Sequence, residues 1–238
     1  MRKTILMIAL CLAGALLNIV LNRLDLLAGL PLFLDTVLTV ALTFYGGLFW
    51  GALCGVLTHL IHYLIWFAGW EMSLYTLCSI ATAVLTWLFI RFFPRELDLF
   101  SRHARYEQLL RTAGIERRSG SFAKLMDRAI VLTLLSFALC LVMSVMGGLI
   151  TALILKINAS LHGQRALGGI LSDTMFSKNI PMPVVEIAAR IPINIIDRLV
   201  AAFGGYAIAL GLKKLTVGTR SVTGNPYSGI GAIGPLDR

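Results

Sequence analysis

Residues 129–155 read AIVLTLLSFALCLVMSVMGGLITALIL, a stretch of 27 residues without a charged side chain. An apolar run of roughly 18 residues or more is long enough to cross the hydrocarbon core of a bilayer as an α-helix. The whole chain shares this character, because 58% of its 238 residues are hydrophobic and only 14% are charged. Soluble domains carry about 25% charged residues. The sequence therefore predicts an integral membrane protein.

Further apolar segments on both sides of this run predict an all-α fold, a bundle of six transmembrane helices. The segment 30–67 is ambiguous, because it holds one acid, Asp35, and the pair Gly46-Gly47 near its middle. Two short spans fit it, and so does one span with a re-entrant helix. The amino end resembles a signal peptide, but its apolar run continues through Val20, which favours a span. The six predicted spans are residues 4–21, 34–45, 48–67, 74–93, 129–155 and 191–212.

The positions of the lysines and arginines predict the orientation of the bundle. With six spans, 15 basic residues fall on the side of the two termini and 5 on the other side. Basic residues accumulate on the cytoplasmic side, so both termini and the loop 94–128 are predicted to be cytoplasmic and the loop 156–190 extracellular. The loop 94–128 is either a surface amphipathic helix or a solvated connector. Residues 1–215 form the predicted membrane domain, and the Gly- and Pro-rich residues 216–238 form a flexible cytoplasmic tail.

The net charge of +9 does not indicate a nucleic-acid partner, because the basic residues cluster between the spans. Membrane lipid is the expected partner of these positions. The four cysteines all fall inside apolar runs, without a CxxC pair, and read as packing residues.

Polar side chains form three stripes at membrane depth, all at the predicted outer level. An ionisable group there costs several kcal/mol and usually faces a partner or a water-filled cavity. The stripes therefore predict a solute pocket that opens outward, with Asp35 or Asp197 available to pair with Arg190 or Arg198. The alternative is a helix cap at Asp35 and a structural ion pair at Asp197. The stripes are Asn18 and Asn22, Asp35 and Thr39, and Arg190, Asn194 and Asp197.

Aromatic side chains crowd the outer end of the third span, beside Glu71. They fit the aromatic belt of the membrane interface, or a wall on which a planar ligand stacks. In the second case Trp66, Trp70 and Glu71 line the pocket. The aromatic residues are Tyr63, Trp66, Phe67 and Trp70.

No catalytic constellation stands out, and we expect neither enzymatic activity nor a cofactor. His59 and His62 lie on one helix face, but no further ligand pattern accompanies them, so we expect no metal site. Ser144 and His162 are isolated. The ATP-binding pattern G-x-x-x-x-G-K-[ST] is absent from this chain, so transport would need energy from partner subunits.

Small residues at intervals of four mark close contacts between helices. Gly47, Gly51 and Gly55 repeat along the third span and are predicted to pack inside the bundle. Ala9 and Ala13 do so on the first span, where they face a neighbouring helix or another subunit.

Four segments resemble the S component of energy-coupling factor (ECF) transporters, the substrate-binding membrane subunit of bacterial vitamin importers. They are LPLFLDTVLT from Leu30, GGLFWGALCG from Gly46, the alanine pair of the first span and IPINIIDR from Ile191. The resemblance implies a six-helix bundle in the bacterial inner membrane with a vitamin-like ligand near the outer face. It also implies that Ala9 and Ala13 dock on the transmembrane T component, which works with ATP-binding subunits.

The chain departs from this family in its two long loops, which fit a lid or a relative that binds a ligand without transporting it. The cobalt- and nickel-type relatives carry a histidine next to the initiator Met, and here Arg2 stands there. A metal substrate is therefore not expected. Binding and import of a small organic solute is the leading hypothesis. A membrane sensor or scaffold on the same bundle is the alternative, although the tail after Lys214 is short for a signalling domain.

Overall fold

The structure is a computed structural model that describes residues 2–27, 32–66, 70–97, 99, 121–158 and 180–222. Within these residues the regular elements are helices, and no strand occurs. A 3₁₀ helix, Trp70–Tyr75, leads into the fourth α-helix. The α-helices are α1 Arg2–Leu27, α2 Val37–Gly46, α3 Leu48–Trp66, α4 Thr76–Phe92, α5 Pro94–Leu97, α6 Ser121–Asn158 and α7 Met182–Val222.

Among the described residues, five helices are long and apolar enough to cross a membrane. Their apolar segments are Thr4–Leu24, Leu48–Ile65, Ser73–Phe92, Phe122–Ile154 and Met182–Thr216. Large apolar side chains point outward from the bundle, for example Ile5 and Leu16 of α1, which are 62% and 50% exposed. An apolar outer surface of this extent suits a lipid environment rather than water. The helical fold predicted from the sequence is confirmed for the described residues, and the long apolar helices are compatible with the predicted multi-pass membrane protein.

The predicted second span is a short, buried helix. The ten residues of α2 rise roughly 15 Å, about half of the hydrocarbon thickness. Every side chain from Val37 to Phe44 is buried. Gly47 ends the helix, because its φ of 90° lies in a region that side-chain-bearing residues rarely adopt, and α3 begins at the next residue. The helix alone is therefore not a full span.

The first three helices alternate in direction. The Leu38 N–H at the start of α2 donates to Asn18 Oδ1 of α1 at 2.9 Å. At the other end of α2, Gly46 lies against Met7. The chain then turns back, so that Cys11 of α1 reaches the Trp50 carbonyl near the start of α3 at 3.4 Å. As a result α2 runs antiparallel to α1, and α3 runs parallel to α1.

The helices α6 and α7 share the most extensive interface of the bundle, and both are longer than the spans 129–155 and 191–212 predicted for them. The predicted loops 94–128 and 156–190 are therefore too long, because their first and last residues belong to helices. The helix α7 also continues past residue 215, the predicted end of the membrane domain. Charged side chains near these ends form hydrogen bonds within the protein. A prediction from hydropathy does not take such bonds into account and makes the helices too short. Arg128 Nε donates to the Glu96 carbonyl at 3.1 Å, and Lys213 Nζ to the Leu99 carbonyl at 2.5 Å.

Glycines let several pairs of helices approach closely, among them three pairs that involve α2 or α3. Gly51 faces Thr43 of α2, Gly55 faces Ser79 of α4, and Gly205 of α7 faces Val40 of α2. The prediction that the glycine series of the third span packs inside the bundle is therefore confirmed for Gly51 and Gly55. It is wrong for Gly47, which forms the turn and has open space around its Cα.

Candidate functional site

A cavity of about 260 Å³ lies between α1, α3, α4, α6 and α7 and the segment that precedes α2. The cavity lies at the end of the bundle opposite α5. Arg128 of α6 and Lys213 of α7 bond to the chain at and just after α5, whereas the cavity is lined by residues of α6 and α7 that are distant from these two. Four of the predicted site residues line it, namely Asn22, Asp35, Arg190 and Asn194. The other lining residues are Ile19, Phe33, Thr36, Thr58, His59, His62, Tyr75, Cys78, Met143, Gly147 and Arg198.

One wall is the non-helical segment before α2, which side chains of two helices hold in place. Asn22 Nδ2 of α1 donates to the Phe33 carbonyl at 2.8 Å. Asp197 Oδ1 of α7 accepts the backbone N–H groups of Phe33 at 3.2 Å and Leu34 at 2.8 Å. Leu34 has a φ of 40°, an uncommon conformation for a residue with a side chain. These side chains satisfy backbone groups that a helix would otherwise pair.

Asn18 and Thr39 lie behind this wall, in a fully buried network. Asn18 Oδ1 accepts the Leu38 N–H, and its Nδ2 lies 3.5 Å from Thr39 Oγ1 and 3.2 Å from Thr58 Oγ1. The amide therefore joins α1, α2 and α3, and of these residues only Thr58 also lines the cavity. Asn18 and Thr39 shape the site without reaching the cavity.

Arg198 is the centre of a charged cluster at the cavity wall. Its guanidinium pairs with the Asp197 carboxylate, donates to Thr36 Oγ1 at 2.6 Å, and lies 4.0 Å from Asp35 Oδ1. The structural ion pair considered for Asp197 is thus formed, and Asp197 is not among the lining residues. The helix cap considered for Asp35 is not formed, since Thr36 occupies the N-cap of α2 without a side-chain cap bond.

Arg190 lies at the start of the polar stripe on α7 and is 7% exposed. Its Nη2 donates to Thr151 Oγ1 at 2.5 Å and to the Tyr75 hydroxyl at 3.4 Å. The Phe33 and Tyr75 rings lie 5.5 and 5.8 Å from its Cζ, within the range of cation–π attraction. Its Nε is buried without a hydrogen-bond acceptor among the described residues.

Two further contacts fix polar groups of the lining. Asn194 Nδ2 donates to Ser144 Oγ at 2.9 Å, which joins α7 to α6. His59 Nε2 and Ser79 Oγ lie 2.9 Å apart, so the first histidine of the pair on α3 is engaged by α4. Both histidines of that pair line the cavity.

The predicted aromatic wall falls largely outside the described residues. This holds for Phe67 and for the side chains of Trp66, Trp70 and Glu71. Tyr63 is exposed. The rings that the structure places at the cavity are Phe33 and Tyr75, which sequence reasoning missed. Phe33 stood inside an apolar run, and Tyr75, at the start of the predicted span 74–93, was not assigned to any of the three polar stripes.

The arrangement can bind a small molecule, because fixed hydrogen-bonding groups and two aromatic rings surround an otherwise apolar cavity. Its volume lies just below the roughly 300 to 1,000 Å³ of sites for drug-sized ligands, which indicates a smaller guest. Neither a protein-family model, nor a curated protein, nor a solved structure matches this chain.

Proposed function

We propose that this chain is the solute-binding membrane subunit of an importer of the ECF type. It binds a small organic solute, a vitamin or a precursor, in the cavity and depends on separate T and ATP-binding subunits. The observation that carries the proposal is the cavity itself, where Asn22, Arg190 and Asn194 converge from helices that are long and apolar enough to span a membrane. Ionisable side chains are costly in a bilayer and mark solute pathways more often than packing.

The six crossings of an S component are compatible with the short α2. The non-helical segment before it runs from the Asn22 level of α1 towards Asn18, and α2 continues down to Met7. Segment and helix together follow α1 over most of its apolar length. In this arrangement the non-helical segment and α2 together form one inward crossing, and α3 forms the next outward crossing. Both termini then lie on the same side.

The distribution of basic residues supports an outward-facing cavity and cytoplasmic termini in a bacterial cell membrane. The cavity lies at the end of α1 that carries Asn22 and at the start of α7. The α5 end, with Arg128 and Lys213, lies on the side of the more basic loop. A solute from outside would reach the cavity without crossing the bundle.

Exposed alanines on α1 support docking of a second membrane subunit. Ala9 and Ala13 are both exposed on the outside of the bundle, one turn apart. A stripe of small side chains allows the backbone of another helix to approach closely. A sensor on the same bundle would use the same cavity, but it would not require this surface.

The test is to purify the chain from its native host in lipid nanodiscs and to identify bound small molecules by mass spectrometry. We expect one solute at close to one molecule per chain. Met143→Trp should expel it, because Met143 is buried in the lining and the larger ring fills the space. Ala207→Trp, at an exposed position of α7, is the matched control and should retain it.

Absence of any solute from the wild-type protein, together with no thermal stabilisation by a small-molecule extract of the host, would contradict the proposal. Import and sensing are separated by a second measurement. Co-expression with a T component and ATP-binding subunits should yield a complex that accumulates the solute in proteoliposomes. A solute that binds but is never accumulated would favour the sensor.

A further inference from the structure

Arg190 is a buried cation in the cavity lining. Its partners there are two hydroxyls and two aromatic rings, and no carboxylate of the described residues forms an ion pair with it. Both hydrogen bonds use Nη2, which leaves Nε without an acceptor among the described residues. A guanidinium presents a planar set of donors that matches a carboxylate or a phosphate. A buried charge of this kind is costly until an anion joins it.

Asp35 is a carboxylate at the cavity wall, and its ion pair with Arg198 is weak. The ion pair of Asp35 with Arg198 lies at 4.0 Å, the limit of such contacts. Arg198 already pairs with Asp197 and donates to Thr36. The Asp35 side chain is 25% exposed, and the residue lines the cavity. It therefore has room for a positively charged group.

Arg190 and Asp35 lie at different heights of the cavity. Asp35 approaches α7 at Arg198, which follows Arg190 by eight residues, or roughly 12 Å of helix. Asn194 lies between the two arginines and also lines the cavity. If Arg198 and Asp197 are counted as a neutral pair, one positive and one negative side chain remain in the lining. A solute without net charge but with two separated charges matches this pattern.

We infer that the solute is a small zwitterion, with its anionic group at Arg190 and an ammonium or protonated ring nitrogen at Asp35. The Phe33 and Tyr75 rings lie against the Arg190 guanidinium and hold it at the cavity wall. The inference rests on the proposed function, since it names the chemical class of the solute that the cavity binds. The cavity volume of about 260 Å³ restricts it to a molecule smaller than a typical drug.

The probe is a small-molecule extract of the native host, divided by ion exchange into pools of anions, cations, zwitterions and uncharged molecules. The purified protein in nanodiscs is first dialysed to remove any bound solute, and each pool is then added to it separately. We expect the zwitterion pool alone to raise the melting temperature, by about 5 °C or more at saturating concentration. The active component is then isolated from that pool and its affinity measured.

Two charge-removing variants separate a binding role from a structural one. Arg190→Gln and Asp35→Asn should each weaken binding of the isolated zwitterion by about ten-fold or more. In addition, Asp35→Asn should lose the preference for zwitterions over anions, because Arg190 still binds an anion while the repelling carboxylate is gone. Reduced folding alone would not change this preference. Arg91→Gln and Asp127→Asn, at exposed positions of α4 and α6, are the matched controls.

Stabilisation by the anion, cation or uncharged pool in place of the zwitterion pool would overturn the inference and leave the proposed function standing. Unchanged affinity in both charge-removing variants would overturn it as well. Stabilisation by no pool would contradict the proposed function itself. The two failures are therefore distinguishable.

Discussion

The carboxylate of Asp197 accepts the backbone N–H of Leu34 at 2.8 Å, across 163 positions of the sequence. This bond ties the last helix to the segment that precedes α2, where Leu34 has a φ of 40°. The same carboxylate accepts the Phe33 N–H and pairs with Arg198. One side chain thus replaces the backbone partners that a longer second helix would have supplied, and it fixes one wall of the cavity.

Asp197→Asn should destabilise the protein. The amide retains an acceptor for Leu34, but it leaves Arg198 without its closest carboxylate, and breaking one side of a buried ion pair costs about 3 to 5 kcal/mol. We expect a lower melting temperature in nanodiscs without added solute. Asp127→Asn, on the exposed face of α6, is the control. Equal melting temperatures for the two variants would show that the ion pair between Asp197 and Arg198 is dispensable for stability.

Asn22→Ala should weaken solute binding by roughly ten-fold. The side chain lines the cavity and holds the Phe33 carbonyl at 2.8 Å, so its loss leaves a polar group unpaired at a cost of about 1 to 3 kcal/mol. Titration of the purified variant with the co-purified solute measures the effect. Arg91→Ala, at the other end of the bundle, should retain the wild-type affinity. An unchanged affinity for Asn22→Ala would argue against this wall as part of the site.

Replacement of both Ala9 and Ala13 by Leu should abolish co-purification with a T component while solute affinity stays normal. Both positions are exposed, so the added bulk blocks a partner helix without disturbing the bundle. Ala207→Leu adds the same bulk at an exposed position of α7 and should have no effect. Loss of expression in the double variant would contradict the exposed position of the two alanines. An intact complex would contradict the docking surface.

Two glycines of α7 should respond to alanine in opposite ways. A Cβ at Gly205 would lie 2.8 Å from Val40 Cγ1 and 3.0 Å from the Val37 carbonyl, so α2 must shift. A Cβ at Gly211 meets nothing within 4 Å. Gly205→Ala should therefore lower the melting temperature, while Gly211→Ala should hold or raise it through the better helix propensity of alanine, worth up to about 1 kcal/mol. A drop in both would show that α7 tolerates no change in this region.

Single cysteines in place of Ser119 and Ser172, in a cysteine-free background, should label from opposite faces of intact cells. Both positions lie outside the described residues, so this prediction rests on the basic-residue distribution and on the proposed six crossings. Ser172 should react with a membrane-impermeant reagent added outside, and Ser119 only after permeabilisation. Labelling of both from one side would contradict the six-crossing topology.

Much of the candidate site was predictable from helical spacing. Residues at intervals of three and four share a face, so the polar stripes of α1 and α7 were visible before any contact was known. The structure brings Asn22, Asp35, Arg190 and Asn194 together at one cavity. The bonding partners were not predictable, because nothing local distinguishes Asn194, which reaches Ser144 and lines the cavity, from Asn18, which lies behind it.

The sequence by itself determined that the chain is a helical membrane protein, since the transfer of an apolar run into lipid depends on the run alone. It also indicated a break near Gly46-Gly47, but it did not show that Gly47 itself forms the turn. Only the tertiary structure decided that α2 is short, that Asp197 serves the backbone of Leu34, and that Arg190 has hydroxyls and rings where an ion-pair partner was expected. Hydropathy and periodicity are local properties, whereas a buried polar group is satisfied by whichever distant segment packs against it.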